Sequence, residues 1–488
     1  MDTHSTPFYV TDRWVFVGLL TLLVWAPMPL GSNRTWAIGV LLLCAMGLLV
    51  AVSIAWRHQF SAAWNHLTPF AWPIGLLGAM VTFTWAQTMP LPSGLVQIIS
   101  PMSAHIQVPA DWMTLSLDVF QTRIAASLAF VYWSMFVVTL LTVRTAERLE
   151  RLCMVLVASG VVQAVVGTVL FSMKAEYRIF FSNVSHTRMI GTFVYHNNMA
   201  GYMCMCLSIG VGLMLARLGS KKVVYPNWRA RAVAIFTFVL SDKMRLRMML
   251  IVLVIALVLT RSRMGNAAFF TAMLVVGLWA MVVARKTAPK TVALIASLII
   301  VDVLVVGTWV GLEKVVERIQ ETEMRVADGG LSESVEARTE AARASLSIVK
   351  DFPLVGTGGG SFYGVFLSYH SAQYGSVYFD HTHNDFVEIA SDYGLVGLGL
   401  LGSLVALTLW RVLRVMATRR SNIPWGVAFG VAMAIVGLLV HSAVDFNLQI
   451  PSNAMTITVL LAMGWIAHTL PSGRGRRSTR SKDLDVIA

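Results

Sequence analysis

Helix-length apolar runs recur from one end of the chain to the other. Read at the length a bilayer-crossing helix needs, they predict twelve spans, at about 14–30, 35–56, 70–86, 122–142, 152–172, 196–216, 246–260, 265–284, 291–312, 393–410, 424–440 and 452–470. Three longer polar segments interrupt them, at about 87–121, 173–195 and 313–392. The largest falls between spans nine and ten. Its first part, Glu313 to Lys350, is rich in helix formers of mixed charge and reads as two amphipathic helices broken at Asp328-Gly-Gly330. Ala232 to Ser241 is apolar but too short to cross, and reads as an interfacial or re-entrant piece. The pattern predicts an all-α polytopic membrane protein. A single transmembrane domain covers 1–470 with the 313–392 loop inserted, and the basic tail 471–488 reads as disordered.

Composition narrows the class. The 488 residues are 56% hydrophobic and 13% charged, against about 25% charged in a soluble domain. No signal peptide is expected, because the run from Trp14 to Leu30 has no basic stretch before it and no small-residue cleavage site after it. Cys44, Cys153, Cys204 and Cys206 all lie in apolar segments, which disfavours a disulfide framework. Cys204 and Cys206 point to different faces of a helix and read as packing.

The net charge of +13 reflects topology rather than nucleic-acid binding. Of the 38 Lys and Arg residues, 25 fall on one side of a twelve-span chain and 13 on the other. The positive-inside rule then places both termini in the cytoplasm and the three long polar segments outside. The tail, Gly473 to Lys482, lies against anionic headgroups.

Candidate chemistry collects in Phe379-Asp-His-Thr-His-Asn-Asp-Phe-Val-Glu388, directly before the tenth span. Ionisable groups at a membrane boundary are costly to desolvate and point to function. His383 has the side chain best suited to general base work near neutral pH; it can equally cap the following helix. His381-Thr-His383, flanked by Asp380 and Asp385, also permits a metal, because i and i+2 share a face in extended chain. No distant motif supplies the remaining ligands a metal site needs. Arg261 and Arg263 sit at the outer end of the seventh span, where the positive-inside rule disfavours arginine. Arg188 precedes the sixth span, whose start carries Asn197 and Asn198. Such arginines suit a phosphorylated substrate, and Arg338 on the large loop joins them as a binding candidate. Gly356-Thr-Gly-Gly-Gly360 lacks the lysine of a nucleotide loop and reads as a tight turn that lets backbone approach a neighbour. His441 and Asp445, four apart on one helical face, can hydrogen-bond each other. A twelve-span transporter is the rival class. Against it, the two halves show no repeat, and only Asp302 offers charge at mid-span.

Taken together, these pieces resemble the O-antigen ligase and polymerase family of bacterial envelope glycan enzymes. Arg188-Met-Ile-Gly-Thr-Phe193 with Asn197-Asn-Met-Ala-Gly201 is similar to the family's outer-loop-to-helix signature. Thr260-Arg-Ser-Arg263 is similar to its Ser-Arg helix end, and Phe352 to Phe362 to its Pro-Leu-x-Gly-x-Gly segment. His383-Asn384, nine residues, then Gly394-x-x-Gly397 is similar to its histidine motif. The resemblance covers roughly 185–450.

It implies a cofactor-free, metal-independent, inverting glycosyl transfer at the periplasmic face of the bacterial inner membrane. The donor is an oligosaccharide on undecaprenyl diphosphate. By the resemblance His383 deprotonates the acceptor hydroxyl, and Arg188 and Arg263 hold the diphosphate. Arg261, Arg338, Asn197, Asn198, His381, Asn384, Asp385, Glu388, His441 and Asp445 make up the substrate-binding set. The acceptor is a lipid-linked repeat or the lipid A core, and membrane lipids, export and chain-length proteins are the implied partners. The His-Thr-His-Asn-Asp and His-Ser-x-Val-Asp-Phe-Asn pieces look more like exopolysaccharide polymerases. Polymerase is therefore the expectation, with ligase as the alternative.

Overall fold

The computed structural model describes residues 12–172, 188–217, 241–283, 335–369, 379–419 and 421–470, with isolated positions between 293 and 300. In a bilayer core every backbone polar group must bond internally, so apolar runs become helices. The first eight helices are α1 (Arg13–Trp25), α2 (Thr35–Trp56), α3 (Phe60–Leu67), α4 (Ala71–Gln87), α5 (Ser93–Ile99), α6 (Pro101–Ile106), α7 (Val119–Thr142) and α8 (Ala146–Ser172). Then follow α9 (His196–Arg217), α10 (Asp242–Leu259), α11 (Arg263–Val283), α12 (Val335–Asp351), α13 (Phe362–Phe366), α14 (Asp385–Thr418), α15 (Asn422–Ser442) and α16 (Pro451–Thr469). The strands among the described residues are β1 (Leu91–Pro92) and β2 (Trp112–Met113), an antiparallel ribbon pairing Leu91 with Met113.

Among the described residues, seven helical stretches are long and apolar enough to cross a membrane, one of them a Thr35–Gln87 stretch that holds both α2 and α4. They stand where the sequence predicts spans two to six, eight, ten and eleven. α10 and α16 coincide with the seventh and twelfth predicted spans. Span nine, positions 232–240 of the short apolar run, Asp302, the Asp328-Gly-Gly330 break and the 471–488 tail lie outside the described residues. The bundle is centred on α9 and α15, both buried over most of their length. A Cβ on Gly212 would lie 2.2 Å from the Gly426 carbonyl oxygen, so these two backbones cross in direct contact, as small residues allow between membrane helices.

Among the boundaries that differ from the sequence reading, three have a local reason. α1 ends at Trp25, because Pro27 and Pro29 follow and the chain turns through a 3-10 turn at Leu30–Ser32. At thirteen residues, α1 is shorter than the predicted first span. α14 starts at Asp385 and not near 393, and it is broken at Gly394 (φ 61°, ψ −164°). α15 ends at Ser442, so Asp445 does not continue the helical face of His441.

The two ends of the bundle have different chemistry. At one, Asp12 is buried between Arg144 (3.0 Å) and Arg148 (2.7 Å), and Arg217 donates to Glu150 at 2.8 Å. The other end gathers the N-termini of α9, α11, α14 and α16, the C-termini of α10 and α15, and the loops between them.

Candidate functional site

The histidine segment is fixed from three sides. Asn384 caps α14, its Oδ1 accepting from the amides of Phe386 (3.0 Å) and Val387 (3.2 Å). Its Nδ2 donates to the Ala443 carbonyl at 2.9 Å. Asp385 points inward and accepts from Ser442 Oγ (2.6 Å) and the Leu448 amide (3.1 Å). Glu388, also buried, accepts from the Thr382 amide at 3.0 Å and bonds His381 Nδ1 at 2.7 Å. Burial alone would lower the His381 pKa, but Glu388 outweighs it, with Asp380 and Asp385 adding, so it rises above its ordinary 6.5.

These clamps hold His383 in the left-handed backbone region, at φ 54°, a strained conformation for a residue with a Cβ. The His383 ring is partly exposed. Its Nδ1 faces Asp445, whose Oδ1 is 3.9 Å away. Phe446 organises the cluster: His381 stacks on its ring at 4.3 Å, and His383 and Tyr195 meet it edge-on at 5.0 and 5.6 Å.

The arginines come from two neighbouring turns. Arg261 and Arg263 are exposed, and Arg261 is also left-handed, at φ 53°. Ser262 between them is buried, its Oγ accepting from the Gly265 amide at 3.1 Å. This cap turns both guanidinium-bearing residues outward. The Met189 amide donates to the Leu259 carbonyl at 3.1 Å, which seats the Arg188 loop beside that turn. Arg188 itself lies 3.2 Å from His196 Nε2.

α11 then returns to the histidines. A Cβ on Gly265 would sit 2.6 Å from Ala200 and 3.3 Å from His441. Asn197 and Asn198 are buried. Asn198 donates to the Phe446 carbonyl at 3.3 Å and its own carbonyl accepts from Asn453 at 3.0 Å, so it holds the 443–450 turn in place. Arg338 falls on α12, with its side chain outside the described residues.

The glycine loop is docked into the break of α14. The Thr357 and Gly358 amides donate to the carbonyls of Ser391 and Asp392, at 2.9 and 3.0 Å. The Leu395 and Val396 amides donate to the carbonyls of Pro353 and Leu354, at 2.8 and 3.1 Å. A Cβ on Gly394 would lie 2.3 Å from Leu354 backbone, and one on Gly356 2.3 Å from Asp392 backbone. Backbone approach is therefore what these glycines supply. The buried Asp392 carboxylate takes the amides of Gly360 (2.8 Å) and Phe362 (3.1 Å). Gln87, at the end of α4, donates to the Val355 carbonyl at 2.7 Å and accepts from Gly359 at 3.2 Å.

The structure thus brings Arg188, the Arg261–Arg263 turn, Asn197, Asn198, His441, Asp445 and the histidine segment to one end of the bundle. Sequence reasoning missed Phe446, Ser442, Asp392 and Gln87. Asp392 carried a signal, a carboxylate seven residues past Asp385 in an apolar run. Ser442 and Phe446 stood in the His-Ser-x-Val-Asp-Phe-Asn piece, which gave neither a role by itself. Among the described residues, no group of three or more His, Cys, Asp or Glu side chains is placed to hold a metal.

Residues 248–402 match the family model described as O-antigen ligase. The matched stretch takes in Arg261, Arg263, Arg338, the glycine loop and His381 to Glu388; Arg188, Asn197, Asn198, His441 and Asp445 lie outside it. No curated protein matches the chain.

Proposed function

We propose, from the match of residues 248–402 to the O-antigen ligase family, that this chain moves a glycan from undecaprenyl diphosphate to an acceptor hydroxyl, with His383 as the base. His383 takes the hydroxyl proton as the acceptor oxygen bonds to the anomeric carbon. The bond from that carbon to the diphosphate oxygen breaks on the opposite face, and configuration inverts. The observation that carries this reading is the partly exposed His383 ring with Asp445 behind it, held in a strained backbone by buried clamps. Facing Nδ1 to Asp445 leaves Nε2 for the acceptor. The leaving diphosphate is already an anion, so it needs positive charge and no general acid. Arg263 and Arg188 supply that charge from either side of the Met189–Leu259 contact, with Arg261 beside them. Asp385, Glu388 and Asn384 act by positioning, because their polar atoms are spent on the loop itself; Asn198 steadies the 443–450 turn through its Nδ2.

The charge count along the sequence supports the inner membrane, cytoplasmic termini and a periplasmic site. Polymerisation of lipid-linked repeats is the reading favoured here, from the His-Thr-His-Asn-Asp segment. The matched family is described as O-antigen ligase, and the alternative reading is a ligase that transfers to lipid A core. Deletion followed by gel analysis of the glycans separates them. Caps shortened to one repeat, or loss of free polysaccharide, support the polymerase; loss of all capped lipid A with polymer intact supports the ligase. Unchanged glycans overturn both.

A further inference from the structure

The segment between α4 and α7 has two faces, and among the described residues only one has a partner. From Thr88 to Ala110 it contains no Asp, Glu, Lys or Arg. Its inner face is packed: Val96, Met113 and Leu115 are buried with Val355 of the glycine loop. Met102 and Leu117 pack against the cluster formed by Phe352, Phe362 and Ile348. The Leu117 amide donates to the Thr357 carbonyl at 2.8 Å. The outer face consists of large apolar side chains left open: Ile98 is 78% exposed, Val108 84% and Trp112 63%, with Leu95 and Ile106 beside them.

Exposed apolar residues scattered singly are ordinary, but a group of them on a segment whose one charged side chain before Trp112 is Asp111 marks an interaction surface. The chain itself indicates the partner. Both ends of the segment are covalently continuous with helices of membrane-spanning length and composition, α4 ending at Gln87 and α7 starting at Val119. Exposed apolar residues also lie at both ends of the segment, Trp85 and Met89 at one and Phe120 at the other. Short helices with apolar side chains on their open side and an aromatic residue at the rim suit the boundary between headgroups and acyl chains.

We infer that α5, α6 and the β1–β2 ribbon form a platform lying in the lipid interface on the face of the membrane that carries His383, its partner being the phospholipids of that leaflet. The inner face of the platform braces the glycine loop, and through it the break in α14. The platform thereby ties the height of the site to the bilayer surface. This inference does not depend on which reaction the site performs.

The test uses the full-length protein in phospholipid nanodiscs, with a nitroxide on Ile98→Cys or Val108→Cys in a Cys44→Ser background. Collision rates with oxygen, which partitions into lipid, are compared with those of a water-soluble nickel chelate. Leu43→Cys on the exposed side of α2 serves as the lipid reference, and Lys350→Cys at the end of α12 as the aqueous one. The inference requires both platform labels to favour oxygen as the Leu43 label does, and Ile98→Glu with Val108→Cys to shift that label toward nickel. Nickel-dominated relaxation at both sites, as at Lys350, overturns it. So does low access to both reagents that rises when the nanodiscs carry single copies, which would assign the face to a second copy of the chain.

Discussion

His383 is held by its neighbours more than by its own preferences. A left-handed histidine costs on the order of 1–3 kcal/mol, and that cost is met by the hydrogen bonds of Asn384, Asp385 and Glu388. Removing Glu388 should therefore release the loop. Glu388→Gln keeps the shape but loses the ion pair to His381, and hydrogen bonds to charged groups are worth about 1.5–3 kcal/mol. The expected outcome is a drop in kcat with acceptor KM nearly unchanged, read by initial-rate assays.

The pH dependence has a definite sign. The His381 pKa is raised above 6.5 in the folded protein. The pair therefore contributes its full stability below that value and loses it as pH rises through the raised pKa. Thermal unfolding of the purified protein should show the wild type losing stability across that window, while Glu388→Gln stays flat there. An equal slope in both proteins would remove the pair from the account. His383 and its acidic neighbours were readable from residue type and position before a helix. The inward direction of Asp385 and Glu388 was not, because it depends on Ser442, Leu448 and Thr382 being brought alongside.

At the scale of elements, the break in α14 is the feature on which the site rests. Helix amides and carbonyls freed at Gly394 are taken up by the 353–358 backbone, so two sequence motifs forty residues apart form one joint. Gly394→Ala would put a Cβ 2.3 Å from the Leu354 backbone. A residue with a side chain in this glycine-only region adds strain on the order of 1–3 kcal/mol. The variant should show a lowered unfolding temperature and lost activity. Asp392→Ala should behave alike, since it strips the acceptor from the Gly360 and Phe362 amides, at about 1–3 kcal/mol for each buried donor left unpaired. Wild-type unfolding temperatures for both would contradict the joint. The sequence made the glycines conspicuous and their purpose guessable, because only glycine allows such approach. It did not pair the glycine loop with Gly394, since contacts between distant segments leave no local period. The same limit explains Asp445, which shares a helical face with His441 by spacing alone, whereas α15 ends at Ser442.

For the whole molecule, alternation of apolar runs was legible because a bilayer leaves helices as the form such runs take. Orientation is a separate matter, carried by charge alone. If the 25-to-13 distribution of basic residues sets topology, a cysteine at Lys350 should react with an impermeant reagent in intact cells. One at Ser478 in the tail should react only after permeabilisation. The reverse pattern would move the site to the cytoplasmic face and end the lipid-diphosphate reading.

The central claim concerns one side chain. Loss of a general base slows a reaction by about a hundred- to ten-thousand-fold. The direct measurement is surface glycan made by a deletion strain that expresses His383→Ala at the wild-type membrane level. The account predicts the glycan pattern of the empty deletion strain. Glycan of normal amount and length from His383→Ala would contradict it.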